Sequence, residues 1–243
     1  MVLQENNKLL SIIIPAYNEQ DNIHRTFNTI SQILNESHIP FEILFVDDGS
    51  RDMTWPRICE LSAGLSEAKG ISFSRNFGKE SAIFAGLESA SGACCVIMDC
   101  DLQHPPAVIP EMYRLWQEGF EVVEGVKASR GQENPFHTFC AKGFYKIISK
   151  VTKVNMSDAS DFKLLDRKAV DALLLLPERA PFFRALSSWV GFRTASVPFE
   201  VQERAIGSSK WSMWSLVKYA IRNITSFSGA PMQVVTFLGW LML

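Results

Sequence analysis

Short apolar runs and helix-spaced polar segments alternate through the first half of the chain. Leu10 to Pro15, Phe41 to Val46, Gly70 to Ser74 and Cys94 to Met98 have the length and side-chain content of buried strands. Asp21 to Leu34 sets Ile23, Phe27, Ile30 and Leu34 at the three- and four-residue steps of one helix face. Asp52 stands where it can cap a second helix, and Gly78 to Ala90 predicts a third. Ala107 to Glu118 reads as helix and Val122 to Val126 as a fifth strand. Strands alternating with helices predict an α/β fold with a mostly parallel sheet covered on both faces.

The second half is less regular. Ser129 to Pro135 is a polar loop, and Phe136 to Val151 has amphipathic helical spacing. Asp158 to Leu165 contains a short strand, after which Asp166 or Arg167 opens a helix. Thr194 to Val201 alternates like a strand, and Glu203 to Lys210 is another polar loop. In Trp211 to Phe227, Trp211, Trp214, Val217, Ile221 and Ile224 share one helix face. Core packing is the plain meaning of that stripe. Here tryptophans and basic residues precede a charge-free tail, Ala230 to Leu243, and that combination favours a helix lying at a membrane interface. The tail is shorter than the roughly 20 apolar residues of a spanning helix. It reads as a docking segment or, preferred here, as the start of a membrane helix interrupted where the sequence ends.

Composition narrows the choices. With 243 residues the chain suffices for one α/β domain and little more. A net charge of −2 supplies no basic field for nucleic acid. Five cysteines without a CxxC pair suit a reducing compartment, and Cys94 and Cys95 fit as small core residues. No basic segment followed by an apolar stretch marks a signal peptide at the N-terminus.

Candidate chemistry collects just after the predicted strands. Asp99 and Asp101 follow the fourth, two residues apart, so both can face one side. Paired carboxylates at the carboxyl end of a buried strand suit a divalent cation on a diphosphate. A lone Asp-x-Asp is more often a solvated turn, and it gains weight from its neighbours. Pro15-Ala16-Tyr17-Asn18-Glu19 follows the first strand. There Tyr17 could stack on a base, while Asn18 and Glu19 could bind a ribose or the next loop, or Asn18 could cap a helix. Asp47-Asp48-Gly49-Ser50 follows the second strand, as a base- or ribose-binding carboxylate or as an Asp-Gly turn. Arg75 and Lys79 after the third strand could meet a diphosphate at a helix N-terminus. Phe73 stands where a Walker phosphate loop needs glycine, and GxGxxG and GxSxG are both absent. His104 beside the carboxylates could be a ligand, and reads better as a residue that supports the ligands or the turn.

The ordered set of YNE, DDGS, SRNFGKESAIFAGL, DCDLQHPP, SDFKLLDR and RAIGSSKW followed by ITSFS spans Leu10 to about Ser228. It resembles the inverting glycosyltransferases of family two. Closer still is the polyprenyl-phosphate group of dolichyl-phosphate mannose synthases and bactoprenol glucosyltransferases. The resemblance implies a GT-A nucleotide-sugar (Rossmann-like) fold with a mixed, mostly parallel sheet, followed by an amphipathic interfacial helix and the start of a membrane helix. The corresponding divisions are a catalytic domain over 1–210, a juxtamembrane helix over 211–228 and a membrane segment beginning over 229–243.

The resemblance also implies roles. Pro15, Tyr17, Asn18, Glu19, Asp48, Lys79, Asp99 and Ser209 would bind the nucleotide-sugar, with a UDP-sugar favoured. Asp99, Asp101 and Gln103 would hold Mg²⁺ or Mn²⁺. Asp158 or Asp161 would face the sugar or acceptor, and Arg204, Ser209 and Lys210 would close over the phosphates. Lys127 and Lys142 would meet the acceptor phosphate, Lys127 standing where the family commonly has arginine. Cys100 replaces the usual small residue between the aspartates, with its side chain on the opposite face. The partners are then a nucleotide-sugar, a polyprenyl phosphate and the membrane, with the catalytic domain facing the cytoplasm. A homo-oligomer is compatible with this reading, and nucleic acid is not a partner.

Two alternatives remain open at this point. One is a family-two enzyme with a soluble acceptor, against which the Trp-rich segment and apolar tail count. The other is a non-catalytic nucleotide-sugar-binding scaffold, which has no need of intact DCD, DDGS and SKW segments.

Overall fold

A computed structural model describes residues 8–128, 160–176 and 183–200, with Thr236 and Trp240 beyond them. Its elements are β1 (Leu10–Ala16), α1 (Ile23–Glu36), β2 (Phe41–Asp47), α2 (Thr54–Gly64), β3 (Ala68–Ser72), α3 (Lys79–Ser89) and β4 (Cys94–Ile97). A 3-10 turn (Pro106–Val108) then leads into α4 (Ile109–Gln117), β5 (Val122–Lys127), β6 (Lys163–Asp166), α5 (Arg167–Leu174), α6 (Phe183–Trp189) and β7 (Thr194–Phe199).

The strands form one sheet ordered β3-β2-β1-β4-β6-β5-β7. β1 is parallel to β2 and β4, β2 to β3, and β5 to β7, whereas β6 runs against both β4 and β5. The sheet is therefore mixed and mostly parallel, as the pattern predicts. Chain order reverses at β1, with β2 on one side and β4 on the other. The crevice beyond the carboxyl ends of β1 and β4 is the topological switch point, where open α/β sheets take ligands. The antiparallel β6 matters here. Ile97 lies opposite Lys163, so the segment entering β6 arrives beside the end of β4.

Two-residue alternation divides the core between the sheet faces. Ile12, Ile14, Phe45 and Val96 pack with Ile23, Phe27 and Ile30 of α1, Ile58 of α2 and Met112 of α4. Ile13, Leu44, Cys95 and Ile97 pack with Ile83 and Leu87 of α3, Val170 and Leu173 of α5 and Phe183 of α6. Each fully buried large aliphatic side chain contributes about 1.5–3 kcal/mol relative to exposure. Cys94 and Cys95 are both buried free thiols, one on each face, as their apolar context implies.

Some expected boundaries shift. β3 begins at Ala68 rather than Gly70 and ends at Ser72, because its partner β2 ends at Asp47. As an edge strand with exposed positions, it has a weak apolar pattern. Asp52 lies one residue before the N-cap of α2, which is Met53, yet its carboxylate accepts the Thr54 N–H at 3.0 Å. Asp166 caps α5 by accepting the Lys168 N–H at 2.9 Å. The helix expected at 136–151 lies outside the described residues, as do 211–228 and, apart from Thr236 and Trp240, 229–243. No helix among the described residues is long and apolar enough to cross a membrane.

Candidate active site

The loops after β1 and β2 are stitched together. The Asn18 N–H donates to Ser50 Oγ at 2.9 Å, and the Arg51 N–H donates to Asn18 Oδ1 at 2.9 Å. The Glu19 N–H donates to Thr54 Oγ1 at 2.8 Å, while Glu19 Oε2 accepts from Asn22 Nδ2 at 2.7 Å. Asn18 therefore serves the neighbouring loop rather than capping α1. Its left-handed backbone, φ 55°, is one that asparagine tolerates. Pro15 lies in β1, one residue before its end, and Tyr17 follows β1 half exposed at the crevice.

Asp48 performs a different task from the one its position alone implies. It is buried, and its carboxylate accepts the Phe77 N–H at 2.7 Å and the Gly78 N–H at 3.0 Å. It thereby fastens the loop before α3 to the end of β2. Burial raises its pKa, against those two hydrogen bonds. Gly49 permits the close approach. Its φ is +68°, and a Cβ there would lie 2.5 Å from the Arg75 carbonyl carbon.

Asp99 and Asp101 follow β4 in a tight turn. Asp101 Oδ1 accepts the Gln103 N–H at 3.1 Å, and Leu102 has a left-handed φ of 59°. That conformation is strained for leucine, whose side chain is nevertheless buried. Cys100 is buried in the core, and its carbonyl accepts the Thr26 hydroxyl at 2.6 Å. His104 accepts the Asp99 N–H through Nδ1 at 3.4 Å and stacks on Phe162 at 5.0 Å between centroids. His104 thus packs the turn against the segment entering β6.

The centre of the site is an ion cluster. Lys79, the first residue of α3, sets its ammonium 2.5 Å from Asp99 Oδ1 and 2.8 Å from Asp161 Oδ2. Burial disfavours its charge, but Asp161 and Asp99 outweigh that and raise its pKa. Burial likewise opposes ionisation of Asp99, and Lys79 then His104 reverse the sign and lower its pKa. Asp161, deeply buried before β6, is held well below the usual carboxylate range by Arg184 and Lys79, against the effect of burial.

Sequence reasoning missed three members of this neighbourhood. Arg184 in α6 contacts Asp161 through both Nε and Nη2. Glu80, next to Lys79, accepts the Phe183 N–H at 2.9 Å. Burial, followed by the Asp161 charge, pushes Glu80 up to about 7. Lys163 is fully buried and donates to Glu124, Ser187 and Ser188 at 2.6, 2.9 and 3.0 Å. A lysine inside the apolar run Phe162 to Leu165 was a readable sign of a buried partner; Arg184 had no such local sign.

The structure thus gathers Lys79, Asp99 and Asp161 at the β4 end, with Asp101 and Gln103 in the adjoining turn and Tyr17, Asn18, Glu19 and Asp48 on the loops of β1 and β2. Lys127 ends β5, exposed, on the strand that pairs with β6. Lys142, Asp158, Arg204, Ser209 and Lys210 lie outside the described residues. The oxygen donors of Asp99, Asp101 and Gln103 are of the type that Mg²⁺ and Mn²⁺ take. Among the described residues no three His, Cys, Asp or Glu side chains gather as a metal cage. Two carboxylates fit a cation that draws its remaining ligands from phosphate and water.

Comparison with known proteins agrees with this architecture. The chain is 40% identical to an uncharacterized glycosyltransferase of Synechocystis sp., over 95% of this chain and 73% of the relative. It is 36% identical to the bactoprenol glucosyl transferase of Shigella phage SfV, over 95% of this chain and 75% of that one. In fold it is similar to glucosyl-3-phosphoglycerate synthase from Mycobacterium tuberculosis, solved in complex with Mn²⁺, UDP and glucosyl-3-phosphoglycerate. That match has a TM-score of 0.66 at 19% identity, covering 90% of this chain and 80% of the synthase. The model of the family described as "Glycosyl transferase family 2" matches residues 11–174. With the switch-point crevice, the Asp-x-Asp turn and these relatives in agreement, the chain belongs to glycosyl transferase family 2.

Proposed function

We propose that this chain transfers a sugar, glucose favoured, from a UDP-sugar to a polyprenyl phosphate, undecaprenyl phosphate favoured, with inversion. The product is a lipid-phosphate sugar for cell-envelope glycan modification. The observation that carries the donor half is the Lys79 ammonium set between Asp99 and Asp161 at the β1–β4 crevice. It puts a cation and ionised carboxylates together where a nucleoside diphosphate would leave. The acceptor half is supported by relatives named bactoprenol glucosyl transferase, matched over 95% of this chain.

The nucleotide side consists of Pro15, Tyr17, Asn18, Glu19 and Asp48, with Tyr17 exposed for stacking and Asp48 holding the loop that carries Lys79. Asp99, Asp101 and Gln103 would hold Mg²⁺ or Mn²⁺. When bound, such a cation neutralises charge on the departing diphosphate as a Lewis acid. Lys79 adds a fixed positive charge to the same task. Asp158 or Asp161 would face the sugar or acceptor, Lys127 and Lys142 would take the acceptor phosphate, and Arg204, Ser209 and Lys210 would close over the donor phosphates.

In the reaction, a lipid phosphate oxygen bonds to the anomeric carbon as the bond from that carbon to the diphosphate breaks. The electron pair leaves with the nucleoside diphosphate, and attack from the opposite side inverts the centre. Phosphate esters have a second pKa of about 6, so the nucleophile is already largely ionised at neutral pH. No carboxylate is required as a general base. The catalytic unit is assigned to 1–210, an interfacial helix to 211–228 and the beginning of a membrane anchor to 229–243. This arrangement holds the crevice at the cytoplasmic face of the cell membrane, where lipid headgroup and nucleotide-sugar meet.

The test is a transfer assay with purified protein, undecaprenyl phosphate and a panel of UDP- and GDP-sugars. Formation of one lipid-phosphate sugar with inverted anomeric configuration supports the proposal and identifies the donor. Transfer to a soluble saccharide instead of the lipid contradicts it.

A further inference from the structure

Arg184 lies outside residues 11–174, the span matched by the family model. Its Nε donates to Asp161 Oδ1 at 2.6 Å and its Nη2 to Asp161 Oδ2 at 2.8 Å. A planar fork on both carboxylate oxygens fixes orientation as well as position. Lys79 bonds to the same Oδ2 and reaches on to Asp99. A continuous charge-assisted chain therefore runs from α6 through Asp161 and Lys79 to the end of β4.

The helix that supplies Arg184 is itself anchored by polar contacts from several elements. The Phe183 N–H donates to Glu80 in α3, and Ser187 and Ser188 accept from buried Lys163 in β6. Lys163 in turn is paired with Glu124 of β5. The guanidinium is thus carried on a docked element, the kind of support that holds a site to a fraction of an ångström.

Resting on the donor-site reading above, we propose that Arg184 is a positioning residue for sugar transfer. By gripping both oxygens of Asp161, including the one that Lys79 shares, it sets the Lys79 ammonium at Asp99, where diphosphate charge develops. A residue that merely kept α6 folded would affect stability and leave the folded enzyme's chemistry unchanged. A positioning residue affects rate, since a misplacement of about 1 Å can cost roughly 100-fold.

The experiment compares full-chain wild type with R184K, R184Q, D161N and the R184Q/D161N double variant. Thermal unfolding normalises for folded protein, while transfer kinetics and UDP affinity are the readouts. R184Q is expected to lower kcat by roughly 10- to 100-fold with the donor KM within about threefold. R184K, which keeps charge without the fork, and added guanidinium with R184Q should each restore part of the rate. In the D161N background R184Q should cost little more, because both changes act through one carboxylate. Wild-type kcat per folded R184Q molecule, or fully additive losses, overturns the assignment. Failure of the wild type to use any lipid phosphate overturns the functional reading instead. The Arg184 assignment is then judged on the rate of UDP-glucose hydrolysis per folded molecule, where the same non-additivity supports it and additivity overturns it.

Discussion

The Lys79 ammonium lies 2.8 Å from the Asp161 carboxylate, joining the start of α3 to a segment 82 positions later. This contact links the two halves of the sheet across the crevice. It also brings the negative charge of Asp161 within reach of Asp99 without leaving the two carboxylates in direct opposition.

Removing the ammonium exposes that opposition. K79M is expected to lower sugar-transfer kcat by roughly 100-fold, the scale of losing one preorganised charge in a reacting site. K79R should retain more activity, because it preserves the charge. Steady-state kinetics on folded variants decides the matter, and equal rates for K79M and wild type would contradict the role.

The Asp48 clasp predicts a stability effect separate from chemistry. D48A removes the carboxylate that accepts the Phe77 and Gly78 N–H groups and should cost about 1–3 kcal/mol. G49A should destabilise by a similar amount, about 1–3 kcal/mol, because alanine must adopt a positive φ against the Arg75 backbone. Urea unfolding measures both. An unchanged midpoint in either variant would remove the corresponding constraint.

Glu80 predicts a pH effect of definite sign. In the folded protein burial and Asp161 push it up to about 7, while its ordinary value is 4.5. Between those values the folded state binds more protons than the unfolded state, so stability falls as pH rises. The contribution is fully present below 4.5 and is lost by about 7. Its slope is at most about 1.4 kcal/mol per pH unit. E80Q should flatten this part of the stability profile. Urea midpoints measured from pH 4.5 to 8 would show it, and identical profiles for E80Q and wild type would refute the assignment.

Much of the fold was legible because β1, β2 and β4 are predominantly apolar runs and α1 carries its core residues at helical spacing. The Asp-x-Asp turn was legible for the same reason, since β4 ends visibly before it. The antiparallel setting of β6 was not, because a four-residue strand carries no direction in its own pattern. That setting alone brings Asp161 to Asp99. Arg184 was hidden for a related reason. Its partner is 23 positions away, and neither residue has a local motif that announces the other. Asp48 was found by its place after β2, but its bonds to the loop before α3 depend on tertiary approach.

We propose that the β4 turn is the metal-dependent donor site of a lipid-phosphate glycosyltransferase. The most direct test measures UDP-glucose transfer to undecaprenyl phosphate by wild type and D101N, each with Mg²⁺ or Mn²⁺ and with EDTA. Cation-dependent transfer is expected from wild type, with its loss in EDTA and in a D101N protein that unfolds at the wild-type temperature. Cation-independent transfer, or wild-type turnover by D101N, would contradict it.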